Sequence, residues 1–592
     1  MSGELHQALL SWGFKFTPAH RIPTGTPLRS HDDAKGFYVK NYITLGGDFS
    51  VALSFRGDPH LTLPTAYVLK FPDQFVGRLM PHINMGWYLC YVREMEADWD
   101  PNDLHKLYKD VDGQIQLTLD ASVASVTKGL PTDQEMEGEF SSYWLSDEDV
   151  YLLSDAVEKV EMECLVATGR TRTGKARSSG EEWVVYEKND EHVCDAWLKQ
   201  RNLTQRDVQI IHASYFKVKP SRLAGVVWPP QDLRAVLEWL TENDQGALSR
   251  VLNYFINNPV KRHVLLLDVY QQDLVGLFVE FNLEATGLKT YPKNGKRRKG
   301  SGRTVKSKSL VACLSAKRSV NRFIRLGVTR ADKKTLLNRN RRRSAIGDLS
   351  KQRIALIGCG TVGGYLAGLL LRAGAGCGRA SFDIYDHDFY GPHNFGRHPL
   401  ATEHFGNNKA MAMAGTLKSS THLPCKVTGK PFQFPIEEEQ LKQYDIIIDA
   451  TGRHPVAKRL AHVIRTISSK EKPRLVHGFN DGNGRASKVV IDVGGSCFGC
   501  LLANPDIYRD GVDKRFFELN SSGEKFISCG NTFTPYDAAV SVITASLMQE
   551  AVLSILEPEV LWNYSEHMLD GGRSLKPRIL PRQPSCSICQ YA

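Results

Sequence analysis

The sequence predicts an α/β protein of several domains, and three stretches in its C-terminal part carry this prediction. One stretch reads RIALIGCGTVGGYLAGLLLRAG, in which a short apolar strand, a glycine-rich turn and a helix with apolar residues at helical spacing follow one another. The stretches ASFDIYDHD and YDIIIDATG each contain a further strand that ends in a carboxylate. A strand, a glycine turn and a helix in this order are typical of the first unit of a Rossmann-like sheet.

Length and composition bound the number of domains and the environment of the protein. The 592 residues suit about three or four domains, and the hydrophobic fraction of 42% is enough for several cores. No apolar stretch reaches the roughly 18 residues that a transmembrane helix needs. The N-terminus lacks the basic and apolar segments of a signal peptide. We therefore expect a cytoplasmic protein that does not associate with a membrane, in which the twelve cysteines serve metal binding or thiol chemistry.

The first region, residues 1–145, alternates strand-like runs with turns. The runs are FSVALSF, AYVLKF and WYLCYV, and a helical stretch begins near Pro101. This pattern predicts a small α+β domain.

The second region, residues 146–345, is mixed α/β and has no recognisable motif. The runs VLLLDVY and VGLFVEF are typical of strands, and RAVLEWLTEN and GALSRVLNYFI have helical periodicity. Its basic tract, residues 289–308, carries part of the net charge of +10 and suits either a solvated loop or a patch for an acidic partner. Only Tyr291 offers an aromatic ring there, so we expect no nucleic acid partner. The segment RNRRRSAIGDLSKQ then predicts a helical approach to the third domain, residues 346–592.

Gly358, Gly360 and Gly363 lie between the first strand and the first helix of the third domain. Glycines at these positions let phosphates approach the backbone N–H groups at the start of the helix. Asp386, at the end of the second strand, is placed to bind a ribose hydroxyl. The glycines alone fit an NAD-dependent dehydrogenase as well as an ATP-binding enzyme, and with Asp386 added these residues favour the dehydrogenase.

Polar residues that an NAD site does not need follow Asp386, namely Asp388, Asn394, Arg397 and Lys409. A site that drives attack on the α-phosphate of ATP needs cations, because they neutralise the charge on the phosphates as pyrophosphate leaves. Arginine binds phosphate through two parallel hydrogen bonds, and lysine acts as a mobile point charge. The combination favours an ATP-using enzyme over a dehydrogenase.

This combination resembles the adenylating family that includes ubiquitin-activating enzymes and the bacterial activators of sulfur-carrier proteins. The family pattern is G-x-G-x-x-G, D-x-D, N-x-x-R, a lysine and D-x-T-D, and the resemblance covers roughly residues 346–592. It implies bound ATP and Mg²⁺, with Asp386 on the ribose and with Asn394, Arg397 and Lys409 on the phosphates. It also implies that the substrate is the C-terminal carboxylate of a protein and that the enzyme is a homodimer.

The last element of the pattern departs from the family. The chain reads Asp449, Ala450, Thr451, Gly452, so glycine replaces the second aspartate, which helps to hold magnesium in the family. Asp449 or another residue is left to bind the metal. The family also uses an arginine that precedes the first strand, often from the dimer partner. The candidates for it are Arg339, Arg341, Arg342 and Arg343.

Two C-x-x-C pairs predict a metal site, Cys497 with Cys500 and Cys586 with Cys589. Four thiolates form the tetrahedral cage that suits structural Zn²⁺, and neither pair opens a thioredoxin-like helix. The adenylating family often carries two such pairs. We expect a closed site that ties the C-terminal tail to the domain and has no catalytic role.

Cys529 is the first candidate for a catalytic thiol. It lies in FISCGNTF, shortly before a long apolar helix. In the resembling family, the catalytic cysteine of the thioester-forming members occupies this kind of place. A thiolate is a strong nucleophile, and a thioester keeps the acyl group activated. A buried small residue remains the alternative for Cys529, and we expect Cys359, inside the glycine turn, to be structural.

Cys90 is the second candidate, although a lone cysteine in an apolar strand usually belongs to the core. It follows PHINMGWYL and precedes a Trp-Asp-Pro segment. Residues 20–145 thereby resemble the ubiquitin-conjugating fold, in which a His-Pro-Asn segment precedes the catalytic cysteine and a Trp-Ser-Pro segment follows it. The order here is Pro-His-Ile-Asn, which leaves Asn84 or His82 to stabilise the oxyanion when an amine attacks the thioester.

Together the two resemblances imply a fused conjugating and activating enzyme. The arrangement is similar to bacterial fusions in antiphage (CBASS) operons built around cGAS-like nucleotidyltransferases, whose C-terminus is joined to target proteins. The implied path is adenylation of a carboxylate, a thioester on Cys529, transfer to Cys90 and attack by a lysine of a target. Two alternatives remain: an adenylyltransferase for a sulfur-carrier protein, which needs no Cys90, and a non-enzymatic scaffold, which Gly452 supports.

Overall fold

The computed structural model describes most of the chain. The described residues are 3–23, 26, 28, 35–84, 86–93, 97–128, 140–155, 157–168, 181–205, 210–221, 228–272, 274–288, 307–339, 347–468, 472–518, 525–528, 531–569 and 571–590. Most of the basic tract (289–306) and part of the predicted helical approach to the third domain (340–346) lie outside them.

The N-terminal body is an antiparallel sheet of five strands whose spatial order follows the chain, β1-β2-β3-β4-β5. Its elements are α1 Gly3–Ser11, β1 Lys15–Pro18, β2 Gly36–Thr44, β3 Gly47–Ser54, β4 Thr65–Lys70, β5 Tyr88–Leu89 and α2 Leu104–Lys128. Apolar residues of β2, β3 and β4 pack against α1 and α2 in one core. This is the α+β domain that the sequence predicts.

Two of the three predicted strands of this body form over most of their length, and the third forms over two residues only. FSVALSF and AYVLKF correspond to β3 and β4, whereas WYLCYV forms a strand only over Tyr88–Leu89. The reason lies at Trp87, whose φ of +60° breaks the extended backbone at the start of the run. The strand ends at Leu89, so Cys90 follows it instead of lying inside it.

The middle body is a closed β-barrel, a finer architecture than the mixed α/β region that the sequence predicts. Its strands are β6 Glu148–Leu152, β7 Met162–Thr168, β8 Glu181–Glu187, β9 Thr204–Gln205, β10 Ile211–Val218, β11 Arg262–Val269, β12 Leu274–Phe281 and β13 Val320–Arg330. They pair in the order β10-β11-β12-β13-β6-β8-β7-β9, and a pairing between β7 and β10 closes the sheet. Apolar side chains such as Trp183 and Phe278 fill the interior.

Helices cover the outside of the barrel. They are α3 Phe140–Trp144, α4 Glu191–Arg201, α5 Leu233–Asn243, α6 Gln245–Asn257, α7 Leu283–Thr286, α8 Ser307–Leu314 and α9 Lys333–Asn338. Asp232 and Asp244 cap α5 and α6 by accepting backbone N–H groups of the first turn. Although α3 precedes residue 145, where the sequence places the domain boundary, Phe140 and Trp144 belong to the core of this middle body.

The C-terminal body contains the Rossmann-like sheet that the sequence predicts. Its strands are β14 Ile354–Ile357, β15 Phe382–Tyr385, β16 Val427–Lys430, β17 Ile446–Asp449, β18 Arg474–Asp481, β19 Ala486–Asp492, β20 Tyr508–Arg509, β21 Val512–Asp513, β22 Lys525–Ser528, β23 Asn531–Phe533 and β24 Tyr564–Met568. The main sheet has the order β16-β15-β14-β17-β18-β19-β24, in which the first five strands are parallel and the last two antiparallel.

Helices lie on both faces of this sheet. They are α10 Thr361–Arg372, α11 Lys409–Ser419, α12 Glu438–Leu441, α13 His454–Thr466, α14 Phe498–Leu502, α15 Ala538–Ser554 and α16 Ser587–Gln590. One apolar core joins α10, α11 and α15 to the sheet, and a second joins the other face to α12 and α13. Burial on both faces explains why β14 and β17 read as unbroken apolar runs.

Specific contacts join the three bodies. Leu79 of the N-terminal body packs into the core of the middle body. His422 of the C-terminal body is buried against the middle body, where its Nε2 lies 2.9 Å from the carbonyl oxygen of Ala331 and its ring meets Trp197 edge-on. Burial lowers the pKa of His422, although the Ala331 carbonyl opposes this. Within the described ranges, no helix has the length and apolar character needed to cross a bilayer.

The close approach of β16 to α11 allows a test of this packing. A Cβ on Gly429 would lie 2.5 Å from the carbonyl oxygen of Ala410, so we expect Gly429→Ala to destabilise the C-terminal body by about 2 kcal/mol. Gly415 lies in the interior of α11 with open space around it, so Gly415→Ala should raise stability by about 0.5–1 kcal/mol. Thermal unfolding of both variants measures this, and equal shifts would contradict the packing.

Candidate functional site

The glycine turn brings the start of α10 against the end of β14. Gly358 has a φ of +89°, and a Cβ on it would lie 3.1 Å from the backbone nitrogen of Thr451. A Cβ on Gly363 would lie 1.9 Å from the carbonyl oxygen of Gly358, so only glycine permits this approach. Gly360 caps α10, and the free N–H groups of the first turn form a site for an anion.

Asp386 ties the second strand to this turn. Its carboxylate accepts the backbone N–H of Cys359 at 2.7 Å and the backbone N–H of Asp388 at 2.8 Å. The carboxylate therefore lies where a ribose hydroxyl would meet it, beside the glycine turn. Burial, with a smaller contribution from Asp386, raises the pKa of the Cys359 thiol. This thiol stays protonated at neutral pH, which agrees with a structural role.

Lys409 lies next to Asp388. It is the first residue of α11, only 7% of its surface is exposed, and its Nζ is 3.3 Å from a carboxylate oxygen of Asp388. The side chain of Asn408 caps α11 and also donates to the carbonyl oxygens of Asp386 and Asp388. A cation held in this way needs little reorganisation to meet a phosphate.

Arg397 and Asn394 lie on the segment between β15 and α11. Asn394 accepts the backbone N–H of Gly391 at 3.0 Å, which shapes the turn. The guanidinium of Arg397 donates to the carbonyl oxygen of Thr534 at 3.1 Å and stacks on the ring of Tyr536 at 4.6 Å. Arg397 thus contacts the stretch that follows β23 and precedes α15.

A groove of about 420 Å³ runs between the glycine turn and this stretch. Five of its lining residues are glycines and several others are small and polar, so backbone atoms form much of its surface. The lining residues are Gly360, Thr361, Val362, Ala450, Thr451, Gly452, Gly478, Phe479, Asn480, Asp481, Gly482, Asn483, Gly484, Thr534 and Tyr536. Its size and backbone N–H groups suit the phosphates of a nucleotide together with an extended peptide end.

Asp449 is held by hydrogen bonds to Thr451 and His477. One carboxylate oxygen accepts the N–H and the hydroxyl of Thr451 at 3.0 and 2.7 Å, and the other lies 2.9 Å from Nδ1 of His477. Both Asp449 and His477 are buried. Asp449 therefore reaches the groove through Thr451, and Gly452, with a φ of +64° and open space beside it, adds no carboxylate there.

A buried ionic network supports the opposite wall and was not identified in the sequence. Lys488, which is fully buried, donates to Asp481 and Asp513 at 2.6 Å each and to the Tyr508 hydroxyl at 2.9 Å. Burial would raise the pKa of Asp513, but hydrogen bonds from Arg515 and Lys488 lower it to about 2. A lysine inside a strand is the one sequence signal that could have pointed to this network.

The four predicted metal ligands come together. Sγ–Sγ distances are 3.9 Å for Cys497–Cys500, 3.6 Å for Cys497–Cys586 and for Cys497–Cys589, and 3.5 Å for Cys500–Cys589. Tetrahedral zinc with bonds of about 2.3 Å to sulfur needs separations of about 3.8 Å. The cluster joins α14 to α16 and is almost fully enclosed, as a structural site requires.

Cys90 is partly exposed, and its backbone N–H donates to the carbonyl oxygen of His82 at 2.7 Å. The side-chain oxygen of Asn84 accepts the N–H groups of Gly86 and Tyr88 at 3.0 and 3.1 Å. These bonds fix the orientation of the Asn84 amide in the loop before Cys90.

The remaining predicted residues are only partly covered by the structure. Cys529, Arg341, Arg342 and Arg343 lie outside the described residues. Arg339 is exposed at the end of α9, before the first strand of the C-terminal body.

Comparison with known proteins assigns families to two parts of the chain. Residues 11–153 match the Prokaryotic E2 family B, and residues 336–587 match the ThiF family. The chain is 49% identical, over the full length of both chains, to the ATP-dependent ubiquitin transferase-like protein Cap2 of Vibrio cholerae. It is 48% identical to the protein of the same name from Escherichia coli, over 99% of each chain.

Among solved structures, E. coli MccB with ATP aligns over 41% of this chain and 67% of its own. The identity is 15% and the TM-score is 0.30, values too low to carry an argument about the site.

The cysteine cluster predicts bound zinc. We expect elemental analysis of the purified protein to find about one zinc per chain, and we expect Cys500→Ser to lose it because a tetrahedral cage needs all four thiolates. Cys313→Ser is the matched control, since Cys313 is exposed and lies outside the cluster. Zinc retained at full stoichiometry in Cys500→Ser would contradict the site.

Proposed function

The chain belongs to the family of ATP-dependent ubiquitin transferase-like proteins, and we propose that it joins the C-terminus of a cGAS-like nucleotidyltransferase to lysines of target proteins in antiviral defence. It is a fusion of a ubiquitin-conjugating-like domain with a ubiquitin-activating-like adenylating domain. It is therefore an enzyme that uses ATP to activate and conjugate a protein. The nucleotidyltransferase, the order of the thiols and the biological setting belong to the proposal.

One observation carries the proposal. The groove lies beside the glycine turn and is bordered by Tyr536, which Arg397 contacts. The buried Lys409 contacts Asp388, and Asp386, beside the same turn, accepts the backbone N–H of Asp388. A conjugating-like domain with a partly exposed Cys90 lies in the same chain. An adenylating site alone would suit a sulfur-carrier activator, whereas the two together suit activation followed by conjugation.

The first step forms an acyl adenylate. An oxygen of the carrier's C-terminal carboxylate attacks the α-phosphorus of ATP, the bond to the bridging oxygen breaks, and pyrophosphate leaves. We assign Asp386 to the ribose, and Asn394, Arg397 and Lys409 to the phosphates, where the two cations stabilise the charge that develops. For Arg397 this means leaving Thr534 and Tyr536, the partners it contacts in the structure.

Mg²⁺ supplies further neutralisation of the phosphate charge when it is bound. A carboxylate oxygen of Asp388 lies 3.3 Å from Nζ of Lys409, and Asp388 forms with Asp386 and His387 a group whose ligand atoms lie within 4.8 Å of one another. We assign magnesium to this end of the site, since Asp449 is held by His477 and Gly452 has no side chain.

The later steps are two acyl transfers and an aminolysis. The thiolate of Cys529 attacks the adenylate carbonyl and AMP leaves, which conserves the activated acyl group as a thioester. The thiolate of Cys90 then attacks this thioester and the Cys529 thiolate leaves. Finally a lysine amine of the target attacks the Cys90 thioester, the Asn84 amide stabilises the oxyanion, and the thiolate leaves as an isopeptide bond forms.

The partners in this proposal are a carrier with an accessible C-terminus, target proteins with lysines and a second copy of the chain. A homodimer would allow an arginine of the segment 339–343 to reach the phosphates of the other copy. Proximity supplied by the folded carrier, held by the rest of its surface, would account for much of the rate.

Removing the buried cation tests the adenylation step. Lys409→Met keeps the length of the side chain but loses its charge, so we expect ATP–pyrophosphate exchange to fall roughly 100-fold or more. Lys418→Met, at the exposed end of the same helix, should exchange at the wild-type rate. Equal exchange by the two variants would remove Lys409 from the site.

The thiol relay is tested on non-reducing gels with Mg-ATP and a purified cGAS-like nucleotidyltransferase. Cys90→Ala should retain a thiol-sensitive adduct on Cys529 and form no conjugates, because only the last acceptor is missing. Cys529→Ala should lose both thioesters and keep pyrophosphate exchange. Cys313→Ala is the control for an exposed thiol and should behave as wild type.

Two outcomes would redirect the assignment. Conjugates formed at full yield by Cys90→Ala would contradict the two-thiol relay. Pyrophosphate exchange without any thiol-sensitive adduct would favour an adenylyltransferase of the sulfur-carrier type, and the absence of both would favour a scaffold.

A further inference from the structure

The segment before Cys90 contains a strained turn. The backbone N–H of Ile83 donates to the carbonyl oxygen of Met80 at 3.2 Å, so Pro81 and His82 occupy the two central positions. His82 has a φ of +63°. Proline at the second position and a positive φ at the third are typical of a type II turn.

The third position of such a turn is normally glycine or asparagine, because other side chains strain the left-handed conformation. Rotation of the central peptide by about half a turn would convert it to a type I turn, in which φ of the third residue is negative. A histidine held in the left-handed region indicates that the surroundings prevent this rotation.

Two hydrogen bonds hold the central peptide at its opposite ends. The carbonyl oxygen of Pro81 accepts the hydroxyl of Ser122 at 2.7 Å. The backbone N–H of His82 donates to the hydroxyl oxygen of Tyr143 at 3.1 Å. Both Ser122 and Tyr143 have no exposed surface, so rotation of the peptide would leave buried groups without these bonds.

The same turn is joined directly to the thiol. The carbonyl of His82 accepts the backbone N–H of Cys90 at 2.7 Å, and isolated bridges pair Ile83 with Met80 and with Leu89. Rotation of the central peptide would change the backbone angles of His82 and move the carbonyl that Cys90 contacts. The position of Cys90 therefore depends on the two bonds that clamp the turn.

Tyr143 belongs to the middle body. It lies on α3 in the same core as Trp228, whose ring centroid is 5.6 Å from those of Phe140 and Trp144. The indole N–H of Trp144 donates to the carbonyl oxygen of Gly276, in strand β12 of the barrel, at 3.1 Å. The helix that carries this hydroxyl is thus anchored on the barrel.

We propose that Tyr143 is a positioning residue for the conjugating thiol. Its hydroxyl, anchored on the barrel, holds the Pro81–His82 peptide in the type II orientation and so aligns the backbone of Cys90. The proposal rests on the conjugating role proposed for Cys90, and it gives the middle body a part in that step.

Hydrogen exchange provides a test that needs no activity. In the full-length Tyr143→Phe variant, whose ring still fills the core, we expect amide exchange in the segment from Met80 to Tyr91 to become roughly tenfold faster, since the His82 N–H loses its partner. Ser122→Ala, which removes the bond at the other end of the same peptide, should have a similar effect. The effects of the two should not add in the double variant.

A second experiment measures how fast free lysine discharges the preformed Cys90 thioester. We expect Tyr143→Phe to lower the discharge rate at saturating lysine roughly tenfold. The lysine concentration that gives the half-maximal rate and the rate of ATP–pyrophosphate exchange should not change. Tyr254→Phe is the matched control, because its hydroxyl lies 3.3 Å from His263, packed against the same middle-body core, and does not touch the turn.

Wild-type exchange in the segment from Met80 to Tyr91 of Tyr143→Phe would overturn the proposal, and so would an equal effect of Tyr254→Phe. Failure of the proposed function has a different signature, namely no thioester on Cys90 of the wild type. In that case the hydrogen-exchange measurement still tests whether Tyr143 holds the turn before Cys90.

Discussion

The close approach of α10 to the end of β14 is the constraint on which the adenylating site depends. It exists because Gly363 has no Cβ, which would otherwise lie 1.9 Å from the carbonyl oxygen of Gly358. This approach aims the first turn of α10 into the groove and brings the N–H of Cys359 within 2.7 Å of the Asp386 carboxylate. One steric fact therefore sets the positions of the helix N-terminus, the ribose-binding candidate and the groove wall formed by Thr451.

Charged groups around the groove are held before any ligand arrives. Lys409 is buried against Asp388, and Lys488 is buried between Asp481 and Asp513. Burying these charges is tolerable because each meets an opposite charge at hydrogen-bonding distance. Arg397, on the segment between β15 and α11, contacts the carbonyl oxygen of Thr534 and the ring of Tyr536. These contacts join that segment to the stretch before α15.

The middle barrel contacts both of the other bodies. It receives His422 from the adenylating body and presents Tyr143 to the turn before Cys90. Both contacts are made by polar atoms in buried surroundings, where a hydrogen bond has a strict geometry and its loss is costly. Buried polar contacts of this kind fix the relative arrangement of the three bodies more precisely than apolar contact alone.

The elements that depend on local pattern could be predicted from the residues alone. The glycine turn, the apolar strands β14 and β17, the two C-x-x-C pairs and the family resemblance all follow from residues close together in the chain or from fixed spacing. Long-range proximity is a different matter. The pairing of β7 with β10 that closes the barrel, the burial of Asp449 against His477 and the contact of Arg397 with Tyr536 join residues far apart in sequence.

Those contacts arise from the folded arrangement, because no local propensity or periodicity specifies which distant surface a side chain will meet. The same holds for Tyr143, which reads in the sequence as one more aromatic residue of a short helix. Its role arises from the packing of α3 on the barrel, which brings a single hydroxyl to one strained peptide in another body. The sequence determines which groups are available, and the folded chain determines which of them meet.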